Sequence, residues 1–209
     1  MRTRPLNEAS DVGGLSRRER NKLEKKRRIV EASRSLFKRQ GFENTTTQQV
    51  AREADIATGT LFLYARTKED LLVLSFKEEM LETLSQSFED IPKSAGIVEG
   101  LMAVFSRMID YHDVDRPLSL KLIREMIGPT GGDTSQDVRE LVETIFDRLS
   151  RLIILSDARD EFLDGRNAQH MAESAFALYY FGLISWLTGR HTRPQFVSRL
   201  NQQLVALIH

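Results

Sequence analysis

Apolar positions recur at helical spacing along most of the chain. Ile29, Ala32 and Leu36, with Val30, Ser33 and Phe37 beside them, keep an i, i+3/i+4, i+7 rhythm with basic residues around the rest, which predicts an amphipathic helix over 18–40. Gly41 supplies a left-handed stop. Thr46 and Gln49 have the spacing of a capping box and open a helix over 47–54, with Val50, Ala51 and Ala54 on one side. Asp55 suits a left-handed turn, because Asp tolerates that conformation better than most residues. A very short helix over 58–64 follows. A second capping box, Thr67 with Asp70, then opens a long helix through Leu71, Leu74, Glu78 and Leu81 toward Phe88.

The remainder reads the same way, with helices expected over 95–112, 117–127, 135–156, 165–188 and 194–208. The fold class is therefore all-α. The glycine-rich stretch 128–133 is a loop, and it lacks both the Gly-Lys-Ser/Thr ending and the preceding strand of a phosphate-binding loop. Residues 1–16 hold Pro5, Gly13, Gly14 and few apolar residues, the composition of a flexible arm.

Composition narrows the classes. With 209 residues, 41% hydrophobic and 29% charged, the chain can bury a sizeable core. It has no cysteine, which excludes a disulfide scaffold, a thiol nucleophile and any Cys-ligated metal, and fits a reducing cytoplasm. No apolar stretch suits a secretory leader at the start, and the longest apolar run, 174–187, is shorter than the roughly 20 residues of a membrane span.

Charge is divided unevenly although it balances overall. Residues 1–75 carry 16 Lys and Arg against 10 Asp and Glu, whereas residues 76–209 carry 14 against 20. Within 17–28, eight of twelve residues are Lys or Arg, and Arg27 and Arg28 close the run. A basic head on an acidic body points the head toward a polyanion.

Two short helices joined by a tight turn and packed on a longer basic helix form a helix-turn-helix. Ala51 and Ala54 allow the close crossing, and Ala57-Thr58-Gly59-Thr60 gives the second helix a small, polar start that fits a major groove. The stretch 28–72, with Ala32, Leu36-Phe37, Gly41-Phe42, Thr46-Thr47, Val50-Ala51, Ala54-Asp55-Ile56, Gly59 to Tyr64 and Lys68 to Leu71, resembles the TetR/AcrR family of bacterial transcriptional regulators.

That resemblance implies a three-helix DNA-binding domain over 17–70 and a larger helical effector-binding and dimerisation domain over 71–209. It implies that Thr46, Thr47 and Gln48 sit at phosphates or the groove edge, that Thr58, Gly59, Thr60 and Leu63 face bases, and that Tyr64 and Lys68 clamp phosphates. Leu61 and Phe62 would be core. Several positions depart from the family pattern: Ala57 stands where Ser commonly caps the recognition helix, Asp55 replaces Gly, Ala65-Arg66 replaces an aromatic–Pro pair, and Thr58 occupies a site often held by a longer residue.

Over 171–187 apolar residues surround the helix, which must then be buried on every face. With the last helix this suggests a two-helix dimer interface formed by Tyr179, Gly182, Leu183, Trp186, Phe196, Leu200 and Leu204. A dimer would read a palindrome in double-stranded DNA with half-sites about 34–36 Å apart. Met80, Leu84, Phe88, Met102, Phe105, Met108, His112, Met126, Phe146 and Phe176 are candidates to line an effector cavity, equally compatible with a solid core. The methionines among them suit an apolar or amphipathic small-molecule effector.

No catalytic residue, metal site or cofactor is expected. The four histidines are dispersed and no G-x-S-x-G elbow occurs. The reading is a homodimeric, effector-released repressor. Two other classes remain open on the residues: a helical adaptor whose basic head binds a protein, and a small metal-dependent enzyme using the acidic cluster Asp110 to Asp115.

Overall fold

The computed structural model describes residues 16–92, 94–127, 133–156 and 167–208, and every regular element among them is a helix. Contacts divide these residues into two compact units, one ending at Tyr64 and the other beginning at Ala65. Residues 1–15 of the expected arm and most of the expected 128–133 loop lie outside the described residues, while Ser16, expected in the arm, caps α1.

The first unit contains α1 (Arg17–Gln40), α2 (Thr47–Glu53) and α3 (Thr58–Leu61). Helix α1 begins earlier than the apolar rhythm indicates, because Ser16 and Glu19 form a capping box: the Ser16 backbone N–H donates to Glu19 Oε2 at 2.8 Å, and Glu19 N–H donates to Ser16 Oγ at 3.3 Å. It stops at Gly41, whose φ of 80° favours glycine. Its buried face, Ile29, Val30, Ala32, Leu36 and Phe37, packs on α2, where Val50 and Ala51 are buried, and the Phe37 and Phe42 rings lie 5.2 Å apart.

Helix α2 opens on the expected box. Thr46 N–H donates to Gln49 Oε1 at 2.8 Å, and Gln49 N–H donates to Thr46 Oγ1 at 3.2 Å. It closes by the Schellman pattern: Ile56 N–H returns to Ala51 O at 3.0 Å and Asp55 N–H to Arg52 O at 3.1 Å. Asp55 takes a φ of 50°, the left-handed turn expected of it.

The second unit contains α4 (Lys68–Glu89), α5 (Ile97–Val114), α6 (Arg116–Ile127), α7 (Asp133–Ser156), α8 (Ala168–Leu187) and α9 (Arg193–Ile208). Helix α4 starts on the Thr67–Asp70 box, with both reciprocal bonds at 3.0 Å. Helix α7 packs on α4, α5 and α8, while α9 packs on α5 and α8. Gly182 makes the last contact close: a Cβ there would lie 2.2 Å from Phe196 Cε2, so only glycine lets this Phe196 ring rest on α8. None of the described helices is long and apolar enough to cross a membrane.

Candidate functional site

The recognition element is shorter than the expected 58–64 helix. Ala57 gives α3 no side-chain cap, and after Leu61 the bonding tightens: Leu63 N–H reaches Thr60 O at 3.2 Å and Tyr64 N–H reaches Leu61 O at 2.8 Å. Leu61 is fully buried, but Phe62 is 44% exposed, which corrects its expected place in the core. Leu63 is 76% exposed, a large apolar side chain in water beside the exposed Gly59 and the half-buried Thr58 and Thr60. That grouping presents an apolar surface and two hydroxyls to solvent.

The turn ahead of α3 is braced by a residue expected at DNA. Arg28 Nη2 donates to the carbonyls of Ala54 and Asp55, the latter at 2.6 Å, and pairs with Asp55 Oδ2 at 3.0 Å. Arg28 thereby holds the left-handed turn where Asp stands in place of Gly. Arg27 is also engaged on its own helix, with Glu24 at 2.7 Å and Glu31 at 2.6 Å, and these carboxylates hold its guanidinium above its ordinary pKa. The exposed positive charge of α1 lies mainly at Arg17, Arg18, Arg20, Lys22 and Lys25.

Thr46 is committed to capping α2, whereas Gln48 is exposed and Thr47 half-buried beside it. The Tyr64 hydroxyl donates to Lys22 O at 3.3 Å, and partial burial raises its pKa. Lys68 opens α4 and belongs to the second unit.

In the second unit the ten candidate cavity residues divide by burial. Met80, Leu84, Phe105, Met108 and His112 are buried, while Phe88, Met102, Met126, Phe146 and Phe176 are half-buried. Tyr179 joins several of them: it stacks on Phe105 at 4.9 Å and 8°, lies 5.8 Å from Phe176, and Phe176 meets Phe146 edge-on at 5.5 Å. His112 sits instead against Phe76 at 5.7 Å. The Ser119 hydroxyl donates to His112 O at 3.2 Å, so the 3.1 Å bond between His112 Nδ1 and Ser119 Oγ uses the imidazole proton. Burial lowers the His112 pKa to about 4.

The expected dimer surface is corrected. Tyr179, Leu183, Trp186, Phe196, Leu200 and Leu204 are each at most 1% exposed in the single chain, so they form its own core, and Gly182 is covered by Phe196. The apolar residues left in water on these helices are Phe181, 66% exposed, and Val205, 41% exposed.

The acidic cluster is occupied by an arginine. Arg193 binds Asp113 at 3.0 Å and also Asp110, and Asp115 Oδ1 accepts from Leu118 N–H at 3.0 Å. Among the described residues no group of carboxylates and histidines has the arrangement of a metal site. Sequence reasoning missed Lys77. Its side chain is 8% exposed and its ammonium lies 2.6 Å from Asp137 and beside Glu140, clamping α4 to α7. Burial works against the charge, but the two carboxylates outweigh it and raise the Lys77 pKa.

Residues 29–73, which span the second half of α1, α2, the turn, α3 and the start of α4, match the family described as bacterial regulatory proteins, tetR family. These residues carry the DNA-binding domain of the TetR family. The chain is 27% identical over 155 residues to the fatty acid metabolism regulator protein of Bacillus subtilis (strain 168), covering 73% of this chain and 79% of the relative. It is 23% identical over 201 residues to the transcriptional repressor KstR of Mycobacterium tuberculosis, covering 95% and 85%.

Solved structures share the fold. Thermus thermophilus FadR, a repressor in complex with lauroyl-CoA, superposes with a TM-score of 0.72 at 20% identity, covering 87% of this chain and 92% of that one. Bacillus subtilis FadR in complex with stearoyl-CoA gives 0.63 at 21%, covering 87% and 97%. The chain is thus a DNA-binding transcriptional regulator.

Proposed function

We propose that this regulator is a homodimeric repressor acting in the cytoplasm, released from a palindromic operator by a fatty acyl-CoA. Residues 17–70 would bind DNA and 71–209 would bind the effector and form the dimer. The observation that carries the DNA half is Leu63: 76% of an apolar side chain stands in water on the recognition turn, where a thymine methyl would cover it. Thr58, Gly59 and Thr60 would approach bases beside it, and Thr47, Gln48, Tyr64 and Lys68 would contact phosphates. Arg28 would contribute through the turn it braces. Dimerisation would use the outward face of α8 and α9 around Phe181 and Val205, in place of the buried residues behind them.

The effector half is supported by the aromatic and methionine-rich interior of α4, α5, α7 and α8, and by the acyl-CoA complexes of the two FadR proteins of like fold. Coupling requires only that the effector bind one arrangement of the second unit better than another, and a few kcal/mol suffices to empty an operator. The test is selection of fragments from sheared bacterial DNA by the purified protein near physiological salt. Enrichment of one palindromic motif, bound by two protomers, is the expected result. Enrichment of non-palindromic sites occupied by single chains would overturn the dimer reading.

A further inference from the structure

Buried polar groups in this molecule are matched with partners as a rule. Ser33 Oγ donates to Ile29 O at 2.8 Å, Ser87 Oγ to Thr83 O at 2.6 Å, and Lys77 has two carboxylates. Tyr179 departs from this. It is 1% exposed, and its hydroxyl has no hydrogen-bond partner among the described residues. An unsatisfied buried hydroxyl is a standing cost, and a phenylalanine would fill the same space without it.

The surroundings define what that hydroxyl could serve. Its ring is held between Phe105, stacked at 4.9 Å, Phe176 at 5.8 Å and Phe196 at 6.1 Å, so its direction is fixed before any ligand arrives. Burial pushes the phenol far above its ordinary pKa, and it remains a neutral donor throughout the physiological range. A carboxylate accepting from it would need a buried counter-charge, and the buried ammonium of Lys77 already serves Asp137 and Glu140. The matching ligand group is therefore a neutral acceptor on an apolar chain.

We propose that Tyr179 is a specificity residue, donating its hydroxyl proton to the carbonyl oxygen of a bound acyl thioester. The proposal rests on the acyl-CoA reading above. It places the carbonyl at the centre of α8, with the acyl chain against the Phe105, Phe176 and Phe146 rings. Recognition of the carbonyl, and not merely of chain length, then separates acyl thioesters from other apolar molecules of equal size.

The test compares lauroyl-CoA with S-dodecyl-CoA, the thioether in which CH2 replaces the carbonyl, by calorimetric titration of the full chain. The wild type is expected to bind the thioester about tenfold more tightly, the loss of one good hydrogen bond to a buried donor. Tyr179→Phe is expected to bring that ratio to about one, with an unliganded melting temperature equal to or above the wild type. A wild-type ratio near one, or a tenfold ratio retained in Tyr179→Phe, would overturn the assignment. If the wild type binds neither compound, the acyl-CoA reading itself falls, and this inference with it.

Discussion

Arg28 reaches from α1 to the backbone of Asp55, with Nη2 2.6 Å from the Asp55 carbonyl and 3.0 Å from its carboxylate. Asp55 sits at a φ of 50°, where an L residue other than glycine is strained by roughly 1 kcal/mol. The guanidinium thus secures the one non-glycine left-handed turn of the described residues, directly ahead of α3.

Removing that brace has a defined consequence. Arg28→Ala should lower unfolding stability by about 1–2 kcal/mol, chiefly through the lost charge-assisted bonds to the two carbonyls, since the 97%-exposed Asp55 carboxylate is screened by solvent. Operator affinity should fall further than the charge alone explains. Asp55→Gly in the same background should restore part of the stability by removing the strained φ. Urea denaturation of the single and double variants checks both signs.

Leu63 and Tyr64 are adjacent but should behave differently. Leu63→Ala removes an exposed apolar contact and should relax preference at one base pair by about 1 kcal/mol while leaving stability within error. Tyr64→Phe deletes only a long bond to Lys22 O and any phosphate contact, so it should weaken specific and nonspecific DNA equally. Binding curves on the operator and on a scrambled duplex separate the two patterns.

Lys77 carries the most consequential ion pair of the second unit. Lys77→Ala leaves Asp137, 20% exposed, without its cation and should cost about 3 kcal/mol. Lys77→Met, which keeps the volume, should cost less if Asp137→Asn accompanies it. Thermal denaturation of the three variants gives the comparison, and equal stability of Lys77→Ala and wild type would contradict the clamp.

Stability should depend on His112 at mildly acid pH. In the folded chain burial holds its pKa near 4, against 6.5 for a free imidazole, so the unfolded chain binds more protons between those values. The His112 contribution is complete above about pH 6.5 and is lost as pH falls toward 4, amounting to about 3 kcal/mol. His112→Gln should flatten that part of the stability curve, which denaturant titrations from pH 7 to pH 4 would reveal.

The sequence made the first unit legible because its determinants are local. The spacing of Ile29, Ala32 and Leu36, the Thr46–Gln49 box and the Asp55 turn each lie within a few residues, and all appear where expected. The expected 58–64 helix was too long because the i to i−3 bonding after Leu61 leaves no mark in the apolar spacing. Long-range partners were not legible. Lys77 meets residues 60 and 63 positions away, and Arg193 meets Asp113 80 positions away. Helix α8, apolar all round, offers no sequence signal for which face its own chain covers. Phe196 covers the Gly182 side, which leaves Phe181 in water.

The most direct measurement is fluorescence anisotropy of operator DNA bound by the full-length regulator, titrated with lauroyl-CoA at constant ionic strength. Saturable release at micromolar lauroyl-CoA, absent with coenzyme A alone, is the expected result. An operator complex unchanged by lauroyl-CoA and by stearoyl-CoA, in a protein that remains folded, would contradict release by an acyl-CoA.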